Sequence, residues 1–520
     1  MSNLEKVLLS EINDFREFGH KFLNKEISKM EFKNISGGMG VYAEGDGKKF
    51  VIRFRIPSGV ISINELKKIY EFAKKYNLKE IHFTTRQAIQ FHNMTIDNVC
   101  DLMKEALENN IYTRGAGGNY PRNVSLSPLS GVDKNEIFDP TQYALAVGNY
   151  FLERIYTYNL PRKIKVSFSN SLEDTAHVSV QDLGFLPVIK DQKRYFKAYI
   201  GGGIGMNPKI ALEVDELIEP KDVIYYVQGM IKLFTEEGDY RYRARGRIRY
   251  IRDKIGDDEF IKKFKEYGKT QRSIGGFDIT NSSTDVNELK KKGIETPIKN
   301  HRLIEQKQKG LYSVYVHPFG GRLFIEDFNK LIKKLQELNN GTDIRLSMDE
   351  GLYIRNLNGK EAEEVLNLTN NIGGDTLLEE SISCIGVPIC QIGICNSEQL
   401  LNDILDYYKK QNRKSDALPQ VFISGCHNSC GVHQIGKIGF CGKKKKVDNE
   451  VKKVFTLYIG GSCNINKVKL GEEKGDILPE RVPVFLHELG RAVEKSGIGF
   501  DCYMNEKSYE FNLLLNKYLV

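Results

Sequence analysis

The sequence predicts an α+β fold laid down twice along one chain. Two observations carry this prediction: an internal repeat with an offset of about 260 residues, half the chain, and the same order of helix and strands in both copies. LPRKIKVSFSNS from Leu160 answers LPQVFISGCHNSC from Leu418, YIGGG from Tyr199 answers YIGGS from Tyr458, and Pro220 stands opposite Pro479. A repeat of that length is a duplicated domain rather than a solenoid.

Each copy opens on a helix followed by strands. In the first, Leu66, Ile69, Tyr70, Ala73 and Tyr76 recur at helical spacing, and Ile81 and Phe83 then alternate as in a strand. In the second, Phe328, Leu331, Ile332, Leu335 and Leu338 repeat the helix before Ile344, Leu346 and Met348. A larger α+β unit follows in each half, which divides the chain into residues 1–115, 116–300, 301–375 and 376–520. The run YIGGGIGMNPK fails G-x-G-x-x-G in every register and is read as a strand-to-helix turn, so no nicotinamide-binding domain is expected. His177, in TAHVSV, is placed in a strand.

Composition narrows the function classes. With 520 residues the chain can bury several cores, and no apolar run reaches the roughly 18 residues that a membrane span needs. The opening MSNLEKVLLSEINDF lacks a basic start and an apolar block, and nine cysteines without an export signal point to a reducing, cytoplasmic compartment. A net charge of +8, with RYRARGRIRYIR and CGKKKK as its densest runs, favours an anionic ligand or partner. No nucleic-acid-binding motif accompanies these runs, so nucleic acid is not expected as a partner.

The second half holds four cysteines that the first lacks: Cys384 and Cys390 in SISCIGVPICQ, and Cys426 and Cys430 in FISGCHNSCGVH. Where the second half has Cys426 the first has Phe168. Four thiolates suit a 4Fe-4S cubane; a structural zinc site or inert core cysteines are the alternatives, and the five-residue gap of the first pair is unusual for zinc. The first half instead carries charge. Arg86 stands where the second has Asp349, and Lys163 and Lys165 where it has Val421 and Ile423, which places a site between the halves.

TTRQAIQFH, NYPRNV, LPRKIK, the paired cysteine motifs and the duplicated order resemble the siroheme-containing sulfite and nitrite reductases over nearly the whole chain. The resemblance implies two ferredoxin-like repeats paired into one domain, flanked by two larger α+β domains. It implies a 4Fe-4S cluster on Cys384, Cys390, Cys426 and Cys430, with Cys430 also the axial thiolate of siroheme iron. Arg86, Arg122, Lys163 and Lys165 would then surround the distal face, where a small inorganic anion is reduced. Fixed cations in a water-poor site stabilise developing negative charge better than solvent does.

Siroheme is a polycarboxylate, so Arg162, Arg247 and Arg249 are candidates for its pocket, with Asn428 as a polar neighbour. If the RYRARGRIRY stretch has no such role, it is an exposed charged strand. Cys395 lies five residues beyond Cys390, where the family generally has no cluster ligand but a C-x-x-x-x-C pair is open to it, and His92, His427 and His433 are placed near the cofactors without a catalytic role. Relatives that reduce sulfite tend to keep the second lysine, here Lys165, so sulfite is expected as substrate and nitrite is the alternative. The donor is external, a ferredoxin or a separate flavoprotein subunit. A non-catalytic iron–sulfur carrier or a zinc-stapled binding protein needs no anion site.

Overall fold

A computed structural model describes residues 3–279, 291–338, 340–412 and 416–520. Its architecture is mixed α+β, with four five-stranded sheets. Two of these sheets belong to the repeats, and each takes one strand from the other copy. The first runs Val41–Ala43, Phe50–Arg55, Ala88–Met94, Glu80–Phe83 and then Arg322–Phe324; the second runs Leu303–Glu305, Leu311–Val316, Leu352–Asn358, Asp343–Leu346 and then Val60–Ile61. In the exchange Leu323 pairs with Ile81 and Ile344 with Ile61, both antiparallel.

The two helices predicted by periodicity cover these sheets. Ile63–Lys75 starts in a capping box in which Ser62 and Glu65 each satisfy the other's backbone amide, and it ends with Lys74 and Lys75 where the helix dipole favours cations. Its partner, Ile325–Glu337, meets it through an edge-to-face contact of Tyr70 with Phe328 at 5.5 Å. Leu66, Ile69, Phe328, Leu331 and Leu335 are fully buried in a single core that both repeats share. The strand exchange and this common core make the two repeats one body.

Each larger unit has a sheet of its own in the same order. In the first, Ser125–Leu126, Val166–Phe168 and Leu183–Lys190 run parallel, then Lys193–Ile200 and Leu212–Ile218 return antiparallel. In the second, Ile382–Ser383, Val421–Ser424, Ile438–Val447, Glu450–Ile459 and Glu472–Ile477 repeat that scheme. Separate apolar cores sit under the two sheets.

Three local expectations are corrected. The glycine run after Tyr199 joins two strands rather than a strand and a helix: Gly203 bridges back to Lys209 and the next strand begins at Leu212. Its glycines at 201, 203 and 205 take positive φ values, which a reversal this tight requires. The RYRARGRIRY segment is not a strand. It forms a single turn at Arg243–Arg245 and then the helix Arg249–Ile255, whose Arg252 donates to the carbonyls of Gly201 and Ile210. His177 lies at φ +57° ahead of a short turn, where Asp174 accepts the amides of Val178 and Ser179. Among the described residues, no helix is long and apolar enough to cross a membrane.

Candidate active site

The hairpin between Glu80–Phe83 and Ala88–Met94 carries Arg86 at its tip. Asn123, from NYPRNV, fixes that tip: its Nδ2 donates to the carbonyls of Ile56 (2.6 Å), Gln87 (3.2 Å) and Arg86 (3.3 Å), while Arg86 Nη2 donates to the Asn123 carbonyl at 2.8 Å. The other Arg86 nitrogens, Nε and Nη1, are buried without a partner. Arg122 is held differently, by the carbonyls of Gly115, Gly117 and Gly118. Among the described residues, no carboxylate forms an ion pair with Arg86 or Arg122.

Lys163 and Lys165 flank Ile164, which bridges to Pro121 and is fully buried in the core. In an extended segment, residues two apart point the same way, so both lysines face away from that core. Asp182 sets this geometry: its Oδ2 accepts the Lys165 amide at 2.9 Å, and its two oxygens receive the Arg247 guanidinium at 2.9 to 3.3 Å. Both lysine side chains remain partly accessible, and among the described residues no ion pair or hydrogen bond engages either ammonium. Burial holds each well below the ordinary lysine range. Lys165 and then Arg247 add to this for Lys163, as do Arg86 and Arg247 for Lys165.

The four predicted thiols lie on two adjoining loops of the second half, joined by backbone hydrogen bonds. Cys430 lies within charge–charge range of Cys384, Cys390 and Cys426, and Cys426 within range of Cys390. A charge at Cys430 raises both Lys163 and Lys165, a lesser influence on each than burial. Burial pushes the Cys384 thiol up to about 12, and the thiols of Cys390 and Cys426 are raised for the same reason. N–H groups already point at the sulfurs: the Gly425 amide donates to Cys384 Sγ at 3.2 Å and Asn428 Nδ2 to Cys426 Sγ at 3.4 Å. Such donors stabilise thiolates that bind metal.

Among the described residues, no group of three or more His, Cys, Asp or Glu side chains is arranged to hold a metal ion. A zinc ion would draw four sulfurs to about 2.3 Å of one point, whereas a cubane spreads its ligands over the corners of a larger body. Four cysteines on two adjoining loops fit the ligand set of a cluster. Orphaned guanidinium nitrogens on Arg86 and Arg249, with the unpaired Lys163 and Lys165, fit an anionic cofactor and an anionic substrate.

The remaining candidates divide. Arg162 borders the cations, with Nη1 donating to Asn119 at 3.3 Å. Arg249 is buried, donates to the Met206 carbonyl and keeps Nε and Nη1 unpartnered. Arg247 is also buried, but its charge is engaged by Asp182. Asn428 is exposed beside Cys426. His427 Nδ1 lies 3.5 Å from Cys441 Sγ, His433 packs on Tyr458, and His92 lies edge-on to His82. Sequence reasoning missed Asp182, Asn123 and Thr85, whose hydroxyl donates to the Cys430 carbonyl at 3.0 Å. For Asn123 the signal was its place in NYPRNV; for Asp182 there was none.

Four cysteines of the second half, from buried Cys426 to exposed Cys430, beside first-half cations that have no ion pair among the described residues, fit an iron–sulfur oxidoreductase that acts on a small anion. The chain is similar to the nitrite and sulfite reductases. Residues 117–271 match the nitrite and sulphite reductase 4Fe-4S domain, and residues 42–109 match the nitrite/sulfite reductase ferredoxin-like half domain. The chain is 22% identical to a ferredoxin–nitrite reductase of Leptolyngbya laminosa over 487 residues, covering 91% of each. It is 24% identical to the sulfite reductase [NADPH] hemoprotein beta-component of Lysinibacillus sphaericus over 494 residues, 84% of this chain and 81% of that one. The structure of the Mycobacterium tuberculosis NirA protein has the same fold, with a TM-score of 0.76, 21% identity and coverage of 94% and 93%.

Proposed function

We propose that this chain reduces sulfite to sulfide by six electrons, at a siroheme coupled to a 4Fe-4S cluster, with electrons from an external carrier such as a ferredoxin. The observation that carries this reading is the pair Lys163 and Lys165, side by side about Ile164 and, among the described residues, with no ion pair or hydrogen bond at either ammonium. Cys384, Cys390, Cys426 and Cys430 would hold the cluster, Cys430 would also reach the siroheme iron, and Arg162, Arg249 and Asn428 would meet the macrocycle and its carboxylates. Arg247, engaged by Asp182, would support the pocket by keeping Lys165 in place. The cofactors, when bound, supply electrons one at a time.

The residues of the chain do the rest. Arg86 and Arg122, lowered by burial to about 9 and about 10, remain charged near neutral pH and hold the oxygens of the anion as fixed positive charge. Lys163 and Lys165, held below the usual lysine range, bind the anion when protonated and release protons more readily than exposed lysines do. Each oxygen that leaves as water takes two protons, and these two ammonium groups stand where that demand arises. A doubly charged anion draws more from the second lysine than a singly charged one, which favours sulfite.

Nitrite to ammonia is the second reading, favoured by the relatives named ferredoxin–nitrite reductase. The deciding experiment compares kcat/KM for sulfite and nitrite on anaerobically purified holoenzyme with a low-potential artificial donor, in the wild type and in Lys165→Asn. The wild type should prefer sulfite, and the variant should lose sulfite efficiency by about tenfold more than nitrite efficiency. A wild-type preference for nitrite overturns the assignment of sulfite.

A further inference from the structure

The hairpin formed by Ile438–Val447 and Glu450–Ile459 has two faces of opposite character beyond the core. On one, Lys443 is paired with Asp476 (2.8 Å) and Glu473 (3.6 Å) and Lys445 with Asp476 (2.9 Å), so their charges are spent. On the other stand Lys444, Lys446 and Lys453, all exposed, and among the described residues no ion pair engages any of them. The register fixes this: Lys444 lies opposite Lys453, and Lys446 opposite Val451, whose side chain is 73% exposed. Glu450 sits across from Val447 on the neutralised face, and Asp448 at the turn is directed to Lys452 at 3.7 Å.

The free lysines share their face with Cys395. A Cβ built on Gly442, which has the same parity as Lys444 and Lys446, would lie 2.8 Å from Cys395 Sγ. That sulfur rests against the carbonyls of Val454 (3.6 Å) and Lys443 (3.7 Å) at the root of the hairpin. From Cys395 the contacts lead inward: its amide donates to the Gly425 carbonyl at 2.9 Å, the Gly425 amide donates to Cys384 Sγ at 3.2 Å, and Gly425 is bonded to Cys426. Three residues before Cys395, Ile392 is 51% exposed beside Cys390. An apolar spot and a cluster of free cations thus adjoin a short, hydrogen-bonded route to two of the four thiols.

We infer that this face, Lys444, Lys446 and Lys453 around Val451, is the docking surface for a small acidic electron-carrier protein, and that Cys395 belongs to the route by which its electrons enter. The inference rests on the redox reading above and assigns the surface that serves it. At each encounter the carrier loses one electron and the cluster gains one, with no bond made or broken; six encounters supply one sulfite. Unpaired surface cations steer an acidic partner over about 10 Å at 0.1 M salt, and higher salt weakens that pull. Charge complementarity makes an acidic carrier the occupant.

The test uses holoenzyme and an acidic [2Fe-2S] ferredoxin, with affinity measured by calorimetry at low and at high salt. Turnover is measured with that ferredoxin and, separately, with reduced methyl viologen, a small cation that needs no docking face. The K444E/K446E/K453E variant should bind the ferredoxin at least about tenfold more weakly, lose most of its salt dependence and keep viologen-driven turnover. K444Q/K446Q/K453Q should show a smaller change in the same direction. Unchanged affinity in a variant with wild-type viologen turnover overturns the surface, as does a wild type that does not bind the acidic carrier. A wild type inactive towards sulfite and nitrite with viologen would instead defeat the redox reading, and the affinities would still decide the surface.

Discussion

The hydroxyl of Thr85 donates to the backbone carbonyl of Cys430 across 3.0 Å, joining residues 345 positions apart in sequence. Thr85 precedes Arg86 on the first-half hairpin, and Cys430 closes the cysteine motif of the second. One hydrogen bond therefore sets the distance between a predicted anion-binding charge and a predicted bridging thiol. Replacing Thr85 with Val keeps the shape and removes a bond worth about 1 kcal/mol. The variant should keep its cofactor spectrum and lose turnover several-fold, and Thr85→Ser should restore it. Equal turnover in Thr85→Val would show that this contact does not position the site.

Lys163→Met and Arg86→Ala each remove one charge from the proposed anion site. Turnover should fall by about 10²-fold in either variant, while the visible spectrum of the holoenzyme stays unchanged. Unaltered turnover in both would remove these side chains from the anion site.

Asp182 balances Arg247 in a buried pair at 2.9 Å. Asp182→Asn leaves that guanidinium uncompensated and should cost about 3–5 kcal/mol in denaturant unfolding. The double variant D182N/R247M should recover much of the loss. If Asp182→Asn is as stable as the wild type, the pair does not support the wall that carries Lys165.

Cys430 and Cys395 are separated by iron analysis. Cys430→Ser should lose the electronic coupling of cluster and haem, read by electron paramagnetic resonance, whereas Cys395→Ser should keep the wild-type iron content. The reverse pattern would make Cys395 the bridging ligand.

Proton uptake on anion binding follows from the buried lysines. The folded chain holds Lys163 and Lys165 below their ordinary range, so between their folded and unfolded values the unfolded chain binds more protons and stability rises with pH. A bound anion stabilises the ammonium forms, so in that window binding takes up protons and affinity falls as pH rises. Calorimetry of sulfite binding in two buffers of different ionisation enthalpy should detect this uptake in the wild type and less of it in Lys163→Met. Equal heats in both buffers for the wild type would contradict it.

Much of the architecture was legible because it rests on periodic or repeated signals. The helical spacing of Leu66, Ile69 and Ala73 and of Phe328, Leu331 and Leu335 marked the paired helices, and the offset repeat marked the duplication. Val60–Ile61 and Arg322–Phe324 could not be read: strands of two or three residues have no period, and their partners lie in the other repeat. In the site, the thiol and cation sets stood out as motifs. The engagement of Arg247 did not, because a guanidinium's partner is chosen by the fold, and Asp182 reaches it across 65 positions.

The exchanged strands bear on how a duplicated protein becomes asymmetric. Because each repeat lends a strand to the other's sheet, neither copy can drift in backbone without disturbing its twin, and selection on one active surface preserves the scaffold of both. Side chains on that scaffold are not bound in the same way. The second copy was thus free to replace Arg86 by Asp349 and to take up four cysteines, dividing between two halves a chemistry that neither performs alone.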